Sequence, residues 1–226
     1  MEKTTAFNQT ASDDFDNKIR KVIPFYDEIY HQIFELLGAY CGDRSLRVLD
    51  TGCGSGNFSV QALENLHISE LVLCDPSEYM LSVAGEKLKG KPCELICIGS
   101  ENLNYQNQFD VVTAIQCHHY FDRETRRTAV RNCFNALKPG GILIYSENIA
   151  GCSETGRELM LRRVEDFGLR AGRTPEEVKH HSERYNTEFF PITVPEHLSL
   201  LRETGFETAE LLWYSYMQGV FYGIKA

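Results

Sequence analysis

The chain has 226 residues, of which 42% are hydrophobic and 24% are charged, and its formal net charge at pH 7 is −9. This length and composition suit one folded domain, or a domain with a small cap. The acidic balance disfavours a nucleic-acid partner, because proteins of that class usually present a basic face. No apolar run reaches the roughly 20 residues of a membrane helix, and the polar N-terminal stretch lacks the apolar segment of a signal peptide. We therefore expect a cytoplasmic protein that acts on a small molecule and has no membrane partner.

Eight cysteines are scattered along the chain, and no Cys-x-x-Cys pair occurs among them. Several fall in apolar runs that predict buried strands. We predict reduced thiols that pack as small hydrophobic side chains. A disulfide framework and a zinc site are both disfavoured, and we predict no metal site.

The chain begins with a polar stretch, and we predict a flexible segment at residues 1–20 followed by a single domain at residues 21–226. From Val22 onward, apolar residues recur at helical spacing, and Pro24 and Gly38 bound a predicted amphipathic helix. A helix ahead of the first strand could close over a ligand. Tyr26 is then either a ligand-facing side chain or a packed core tyrosine.

The apolar run at residues 46–49 ends in Asp50 and breaks into glycines at 52, 54 and 56. This order predicts a buried strand, a tight loop and a helix, in which glycine allows positive φ angles and close approach of a ligand. The loop amides and the helix N-terminus favour a polar or anionic group. A P-loop is excluded because no Lys follows the glycines, and the spacing differs from the dinucleotide fingerprint Gly-x-Gly-x-x-Gly. Asp50 would repel a pyrophosphate but suits a ligand with an ammonium group.

A second apolar run ends in Asp75, and an acid at the end of the second strand of a Rossmann-like sheet accepts both ribose hydroxyls. A third strand is predicted at residues 93–98, and Ser100 and Glu101 follow it. The fourth strand, at residues 109–115, is followed by Gln116 and by two histidines that would reach the rim of the ligand site.

The run Lys-Pro-Gly-Gly at residues 138–141 predicts a helix stop and a tight turn into a fifth strand at 142–147. Residues 151–192 carry charged helical patterns without a strand pattern, and we interpret them as a helical lid over the carboxyl ends of the strands. A last helix ends at Gly205. Residues 210–216 and 220–225 predict an antiparallel pair with its turn at Gln218-Gly219.

The motif Asp-x-Gly-x-Gly-x-Gly at residues 50–56 resembles motif I of the class I S-adenosylmethionine (SAM) methyltransferases. Asp75, the strand that carries Asp110, and the Pro-Gly-Gly run at 139–141 agree with this resemblance. It covers residues 24–226 and implies an α/β, Rossmann-like fold with seven mostly parallel strands, an antiparallel C-terminal hairpin and a helical lid insertion. It also implies SAM as the cofactor. The residues expected to bind the cofactor are Tyr26, Asp50, Gly52, Cys53, Gly54, Asp75, Pro76, Ser100, Glu101, Ile115 and Gln116.

Several segments look more specifically like the carboxy-S-adenosylmethionine synthase family: residues 23–26, the run 138–141 leading into 146–147, and residues 166–188 with 205–207. That family converts SAM and prephenate into a carboxymethyl donor for wobble-uridine modification of tRNA. The resemblance implies Tyr26 near the cofactor and a dimer whose lids cross.

One position departs from that family, which uses an arginine in the last helix to pair with the extra carboxylate of its product. By register the matching residue is Leu200, and Arg202 lies about 200° further around the helix. An unpaired carboxylate in a closed pocket would cost several kcal/mol. We therefore favour ordinary methyl transfer to a small-molecule acceptor over carboxy-SAM synthesis.

Methyl transfer requires little beyond in-line approach of the acceptor, because the sulfonium of the cofactor is already activated. A general base is needed only if the acceptor loses a proton, and His119 and His118 are the candidates. Alternatively, these histidines only pack against their neighbours or shape the substrate site. The Asn/Asp-Pro-Pro-Tyr run of enzymes that methylate exocyclic amines of bases is absent after Ile115. Two other classes stay open: an oxidoreductase, which would need the missing dinucleotide spacing, and a SAM-binding protein without turnover.

Overall fold

A computed structural model describes residues 12–226 of the chain, with side chains from residue 17 onward. Its strands are β1 (Leu46–Thr51), β2 (Ile68–Cys74), β3 (Glu94–Ile96), β4 (Phe109–Ile115), β5 (Leu137–Asn148), β6 (Thr208–Ser215) and β7 (Gln218–Ile224). Its helices are α1 (Ser12–Val22), α2 (Tyr26–Cys41), α3 (Asn57–Asn65), α4 (Glu78–Lys87), α5 (Arg123–Ala136), α6 (Glu154–Arg170), α7 (Pro175–Glu183) and α8 (Val194–Thr204). Short 3₁₀ turns follow β3 and β4.

The seven strands form one sheet in the order β3-β2-β1-β4-β5-β7-β6. Strands β1 to β5 run parallel, and β7 lies antiparallel between β5 and β6. The predicted fold class, a mostly parallel seven-stranded sheet with an antiparallel C-terminal hairpin, is confirmed. Because β2 and β4 flank β1, the strand order reverses there, and the carboxyl ends of these strands border the crevice in which such sheets bind ligands.

Both faces of the sheet are buried, and successive residues of the central strands alternate between two hydrophobic cores. Val48 and Val111 pack in the core under α2, α3 and α4. Leu49 and Val112 pack in the core under α5 and α8. A strand buried on both faces needs apolar side chains at every position, which explains why these strands read as continuous apolar runs.

The N-terminal region differs from the sequence expectation. Residues 12–22, most of which fall in the segment predicted to be flexible, form α1, whereas residues 1–11 lie outside the described part of the chain. Helix α2 begins at Tyr26 rather than at Pro24, because Phe25 has a left-handed φ of 57°. The helix continues past Gly38 because its apolar face extends to the buried Cys41.

The sequence also predicted two turns at positions where the structure has paired strand residues. The Lys-Pro-Gly-Gly run belongs to β5, where Leu137 pairs with Phe109 and the Gly140 N–H donates to the Lys225 carbonyl at 2.8 Å. The C-terminal hairpin turns before Gln218, at Tyr216 with its φ of 52°, because Gln218 already pairs with Asn148 in the sheet. In both places, residues typical of turns are paired in strands instead.

Asp110 lies at the amino end of β4, away from the ligand crevice. Its carboxylate accepts a hydrogen bond from the Arg47 N–H at 2.8 Å and pairs with Lys138 Nζ at 2.9 Å. These contacts hold the start of β4 against the neighbouring strands, so this residue has a structural role.

The segment predicted as a lid, residues 151–192, contains helices α6 and α7. The end of this segment is tied to the turn after β4, since the Phe190 N–H donates to the His119 carbonyl at 2.6 Å. Within residues 12–226, no helix has the length and apolar character needed to cross a membrane.

His197 of α8 is a buried histidine that supports β5 and β7. It is 1% exposed, its Nδ1 lies 3.1 Å from the Tyr145 hydroxyl, and its ring stacks on Phe221 with centroids 4.6 Å apart. Burial is the main reason that its pKa is lowered to about 4. The folded protein therefore keeps this imidazole neutral in mildly acidic solution.

We predict that His197 makes the fold sensitive to acid. Between about pH 6.5 and pH 4 the unfolded chain binds a proton here that the folded chain does not, so stability falls as pH falls through this window. The substitution His197→Gln should flatten the pH dependence of the free energy of unfolding by up to about 1.4 kcal/mol per pH unit. Urea unfolding at pH 4.5, 5.5 and 6.5 measures this slope. The exposed His67→Gln is the matched control, and slopes for His197→Gln and wild type that coincide would contradict the prediction.

Candidate functional site

A cavity of about 690 Å³ opens at the carboxyl ends of β1, β2 and β4. Its wall includes the glycine loop at 52–55, the start of α2, and residues of the lid helices α6 and α7. Most of the predicted cofactor-binding residues lie on this wall: Tyr26, Asp50, Gly52, Cys53, Gly54, Asp75, Pro76, Ser100, Ile115 and Gln116. Glu101 does not, and its carboxylate accepts a hydrogen bond from the Asn102 amide at 3.0 Å.

The glycines of the loop are needed for two different reasons. Gly52, Gly54 and Gly56 all have positive φ angles, of 64°, 54° and 78°. A Cβ on Gly52 would lie 2.6 Å from the Cβ of Cys117, whereas a Cβ on Gly54 would have nothing within 4 Å. Gly52 therefore allows the close approach of the β1 and β4 loops, and Gly54 supplies only backbone conformation.

The amides of the glycine loop are largely committed to the protein. The Cys53 N–H donates to the Cys74 carbonyl at 3.0 Å, and the Gly54 N–H donates to Asp75 Oδ2 at 2.9 Å. The Gly56 N–H donates to the Cys53 carbonyl at 2.9 Å. These three donors are thus unavailable to a pyrophosphate. The loop fits a ligand that has no phosphate better than a dinucleotide.

Asp50 is a buried carboxylate at the end of β1, with 1% of its surface exposed. It accepts hydrogen bonds from the Ser59 hydroxyl at 2.8 Å and the Thr113 hydroxyl at 3.0 Å. Burial raises its pKa to about 7, although both hydrogen bonds act in the opposite direction. A cation beside Asp50 would favour the charged carboxylate, so the site suits the ammonium group of an amino-acid tail.

Asp75 lies at the end of β2 and is held from both sides. Its two oxygens accept the N–H groups of Gly54 and Ser77, each at 2.9 Å. Burial raises its pKa, and these two hydrogen bonds counteract part of that effect. A carboxylate has about four acceptor positions, so each oxygen can still accept a ribose hydroxyl. Asp75 and Asp50 are thus acceptors that suit the ribose hydroxyls and the ammonium group of SAM.

Three further wall residues are oriented by neighbouring polar groups. The Tyr26 hydroxyl lies 2.8 Å from the Tyr30 hydroxyl. Helix α2 therefore contributes a pair of tyrosines to the cavity wall. The Gln116 amide donates to the Ser146 hydroxyl at 2.7 Å. The Ser100 hydroxyl lies 2.9 Å from Nε2 of His118 and is largely occupied by that contact.

The two candidate bases, adjacent in sequence, are both buried, but only one of them lines the cavity. His118 is fully buried, does not line the cavity, and has a pKa lowered to about 4 chiefly by burial. The structure thus places the His118 ring against Ser100 inside the protein and not on the cavity wall, so its proposed catalytic role stays a prediction that this placement disfavours. His119 lines the cavity, and its Nδ1 lies 3.3 Å from Oε2 of Glu147.

Glu147 is a buried acid to which the sequence assigned no role. It is 0% exposed, and its Oε1 accepts the backbone N–H of His118 at 3.0 Å. Burial raises its pKa, but the contact with His119 and the positive charge of Arg126 outweigh this and hold the pKa below its usual value. The sequence carries the signal for this acid, since Glu147 ends an apolar run as Asp50 and Asp75 do.

The lid adds a group of basic residues to the cavity wall. Arg173, His180, His181 and Arg184 all lie on its wall, together with the buried Phe189. Arg126 donates hydrogen bonds to the carbonyls of His118 and Phe190 and so joins the lid to the His118–Tyr120 turn. The charged helical pattern predicted the lid helices but not which of their charges would face inward.

We predict that Gly52 and Gly54 respond unequally to alanine. Both substitutions place a side chain at positive φ, which costs about 1–2 kcal/mol. Only Gly52→Ala adds a collision with Cys117, which should cost about 1–3 kcal/mol more and should weaken SAM binding. Urea unfolding and calorimetric titration with SAM measure both effects, with Gly54→Ala as the matched control. Equal losses in the two variants would show that the collision is relieved.

Comparison with known proteins agrees with this geometry. Residues 48–141 match the family model of the methyltransferase domain. The carboxy-SAM synthase of Pseudoalteromonas atlantica is 27% identical over 214 residues, covering 92% of this chain and 87% of the relative. That of Trichodesmium erythraeum is 28% identical over 216 residues, covering 93% and 84%.

Solved structures show the same fold at low sequence identity. Magnesium protoporphyrin IX methyltransferase from Synechocystis, crystallised with bound SAH, superposes with a TM-score of 0.62 at 18% identity, covering 97% of this chain and 96% of that one. The putative methyltransferase in complex with Trm112 of Haloferax volcanii gives a TM-score of 0.67 at 14% identity, covering 94% of each chain. Residues 48–141 thus match a methyltransferase domain, the chain has the fold of the class I SAM-dependent methyltransferases, and SAM is its cofactor.

Proposed function

We propose that this enzyme transfers the methyl group of SAM to a small-molecule acceptor, with His119 as the general base. The observation that carries the proposal is the position of His119: it lines the cavity between the glycine loop and the lid, and its Nδ1 lies 3.3 Å from the buried Glu147. The cofactor supplies an activated methyl group. The protein supplies binding, orientation and a place for the proton of the acceptor.

Glu147 determines how His119 can act. A buried carboxylate beside Nδ1 favours the tautomer with the proton on that nitrogen. Nε2 is then the nitrogen that can accept a proton from the substrate. Such a base is useful for an acceptor that must be deprotonated, namely a hydroxyl, a thiol or an acidic C–H group.

Carboxy-SAM synthesis is the second candidate, and the relatives favour it. Carboxy-SAM synthases 22–28% identical to this chain cover 88–97% of its length. Leu200, which stands where that family is expected to have its carboxylate-binding arginine, is 7% exposed and packed in the core under α8. Helix α8 contributes no residue to the described cavity wall, and Arg202 is exposed. This packing supports methyl transfer over the alternative.

The first experiment identifies the donor and tests for turnover. Mass spectrometry of the co-purified ligand should find SAM or its demethylated product SAH. Incubation with SAM and a panel of phenols, thiols and carbon acids should then form SAH. A ligand heavier than SAM by one carboxylate would instead support carboxy-SAM synthesis. SAM binding without SAH formation on any acceptor would favour a binding protein without turnover.

We predict that His119→Asn lowers the rate of methyl transfer by about 10²–10⁴-fold, the contribution of a general base, with little change in SAM affinity. The loss should shrink as the pH approaches the pKa of the acceptor, because the acceptor then ionises in solution. Rates of SAH formation across pH measure this. His67→Asn, exposed and away from the cavity, is the matched control. Wild-type rates in His119→Asn would mean that this histidine only shapes the cavity.

We also propose a cytoplasmic location and a homodimer that forms through the lid. The location is supported by the eight free cysteines. The dimer is supported by Leu159 and Leu169 of α6, which are 55% and 45% exposed, and by Tyr214 on the edge strand, which is 43% exposed. Sedimentation velocity should find a dimer that Leu159→Glu dissociates, and a monomeric wild type would contradict the proposal.

A further inference from the structure

The lid end of the cavity carries an excess of positive and basic groups in a protein whose net charge is −9. From this end we infer that the methyl acceptor carries an anionic group, a carboxylate or a phosphate, which Arg173 and Arg184 bind. The inference rests on the proposed function and deepens it, because it assigns the acceptor a chemical class.

Arg173 is the residue on which the site depends. It follows Gly172, whose φ is 84°, and directly precedes the capping residue of α7. It is partly buried, and this burial lowers its pKa. One nitrogen, Nη2, donates to the Glu177 carbonyl at 2.8 Å, and none of the carboxylates in the described residues lies within 4 Å of the guanidinium.

The nearest acid does not neutralise Arg173. Glu177 is also on the cavity wall, but its carboxylate accepts the backbone N–H of Thr174 at 2.9 Å and completes the capping box of α7. Its attraction raises the pKa of Arg173 less than desolvation lowers it. A partly desolvated guanidinium without a carboxylate partner is a strong site for a small anion, which it can bind with two parallel hydrogen bonds.

Arg184 and His181 complete this end of the cavity. Arg184 pairs with Glu188 at 2.7 Å and lies over the Phe189 ring, so its position is fixed. Burial and the charges of Arg173 and Arg184 lower the pKa of His181 to about 4, which leaves it a neutral hydrogen-bonding group. His119 also borders this region and contributes to the same effect. An acceptor bound here would thus have its anionic group on the lid and its reactive group beside the proposed base.

The geometry favours a small anion over a polyanion. The basic residues face a cavity of about 690 Å³ that the cofactor must share, and the protein as a whole would repel a nucleic acid. The lid is joined to the His119 turn by Arg126 and by the Phe190 N–H. An anion bound by Arg173 and Arg184 would therefore contact the same lid segment that is bonded to the turn carrying the base.

The test uses benzoate and phenyl phosphate as anionic probes and benzamide as the neutral probe, each titrated by ligand-observed NMR into the SAH-saturated protein. At least one anion should bind more tightly than benzamide. Arg173→Met, which keeps most of the stem but removes the charge, should weaken that anion by at least about tenfold, the loss expected for a charge-assisted hydrogen bond. Benzamide should be unaffected. Preference for benzoate assigns a carboxylate, and preference for phenyl phosphate assigns a phosphate.

Arg170→Met is the matched control, because Arg170 is exposed at the end of α6 and does not line the cavity. Equal binding of benzamide and both anions, or the same anion affinity in Arg173→Met as in wild type, would overturn the inference. The outcome is separable from that of the proposed function, since SAH formation by the wild-type protein on the panel of acceptors tests methyl transfer alone. Loss of SAH formation in wild type with intact anion binding would overturn the function and leave the anion site.

Discussion

A carboxylate removed from water must be matched by hydrogen bonds or by an opposite charge, and this requirement organises the ligand-binding edge of the sheet. Three buried acids end three of the parallel strands or directly follow them. Asp50 is held by hydroxyls from α3 and β4, Asp75 by backbone amides of the glycine loop and of the turn into α4, and Glu147 by the His118–Tyr120 turn. Each acid therefore connects the end of its strand to a neighbouring element, and the cavity lies at this edge of the sheet.

The same acids have different electrostatic states. Burial raises the pKa of Asp50 to about 7, whereas the basic groups around Glu147 hold its pKa below the usual value. The first site thus gains charge when a cation binds, and the second is charged in the free protein. Two carboxylates at one sheet edge can in this way serve two purposes, recognition of an ammonium group and support of an imidazole.

The lid belongs to this arrangement because it is bonded to the turn that carries His119. Arg126 donates to the carbonyls of His118 in the turn and of Phe190 in the lid, and the Phe190 N–H donates to the His119 carbonyl. The lid also brings Arg173 and Arg184 to the cavity wall. Cofactor recognition and acceptor recognition are therefore assigned to different parts of the sequence, and one cavity joins them.

The sequence by itself determined the order of strands and helices, the glycine loop, and the acids Asp50 and Asp75, because apolar runs and turn residues act through local backbone geometry. Only the tertiary structure decided which of two adjacent histidines faces the cavity. The three residues of a 3₁₀ turn are too few to show a hydrophobic periodicity that would predict which side chain is buried. The contacts of His118 with Ser100 and of His119 with Glu147 also join residues that are 18 and 28 positions apart in the chain. The orientation of Arg173 and the burial of Leu200 likewise depend on helix packing, which charge pattern and register do not specify.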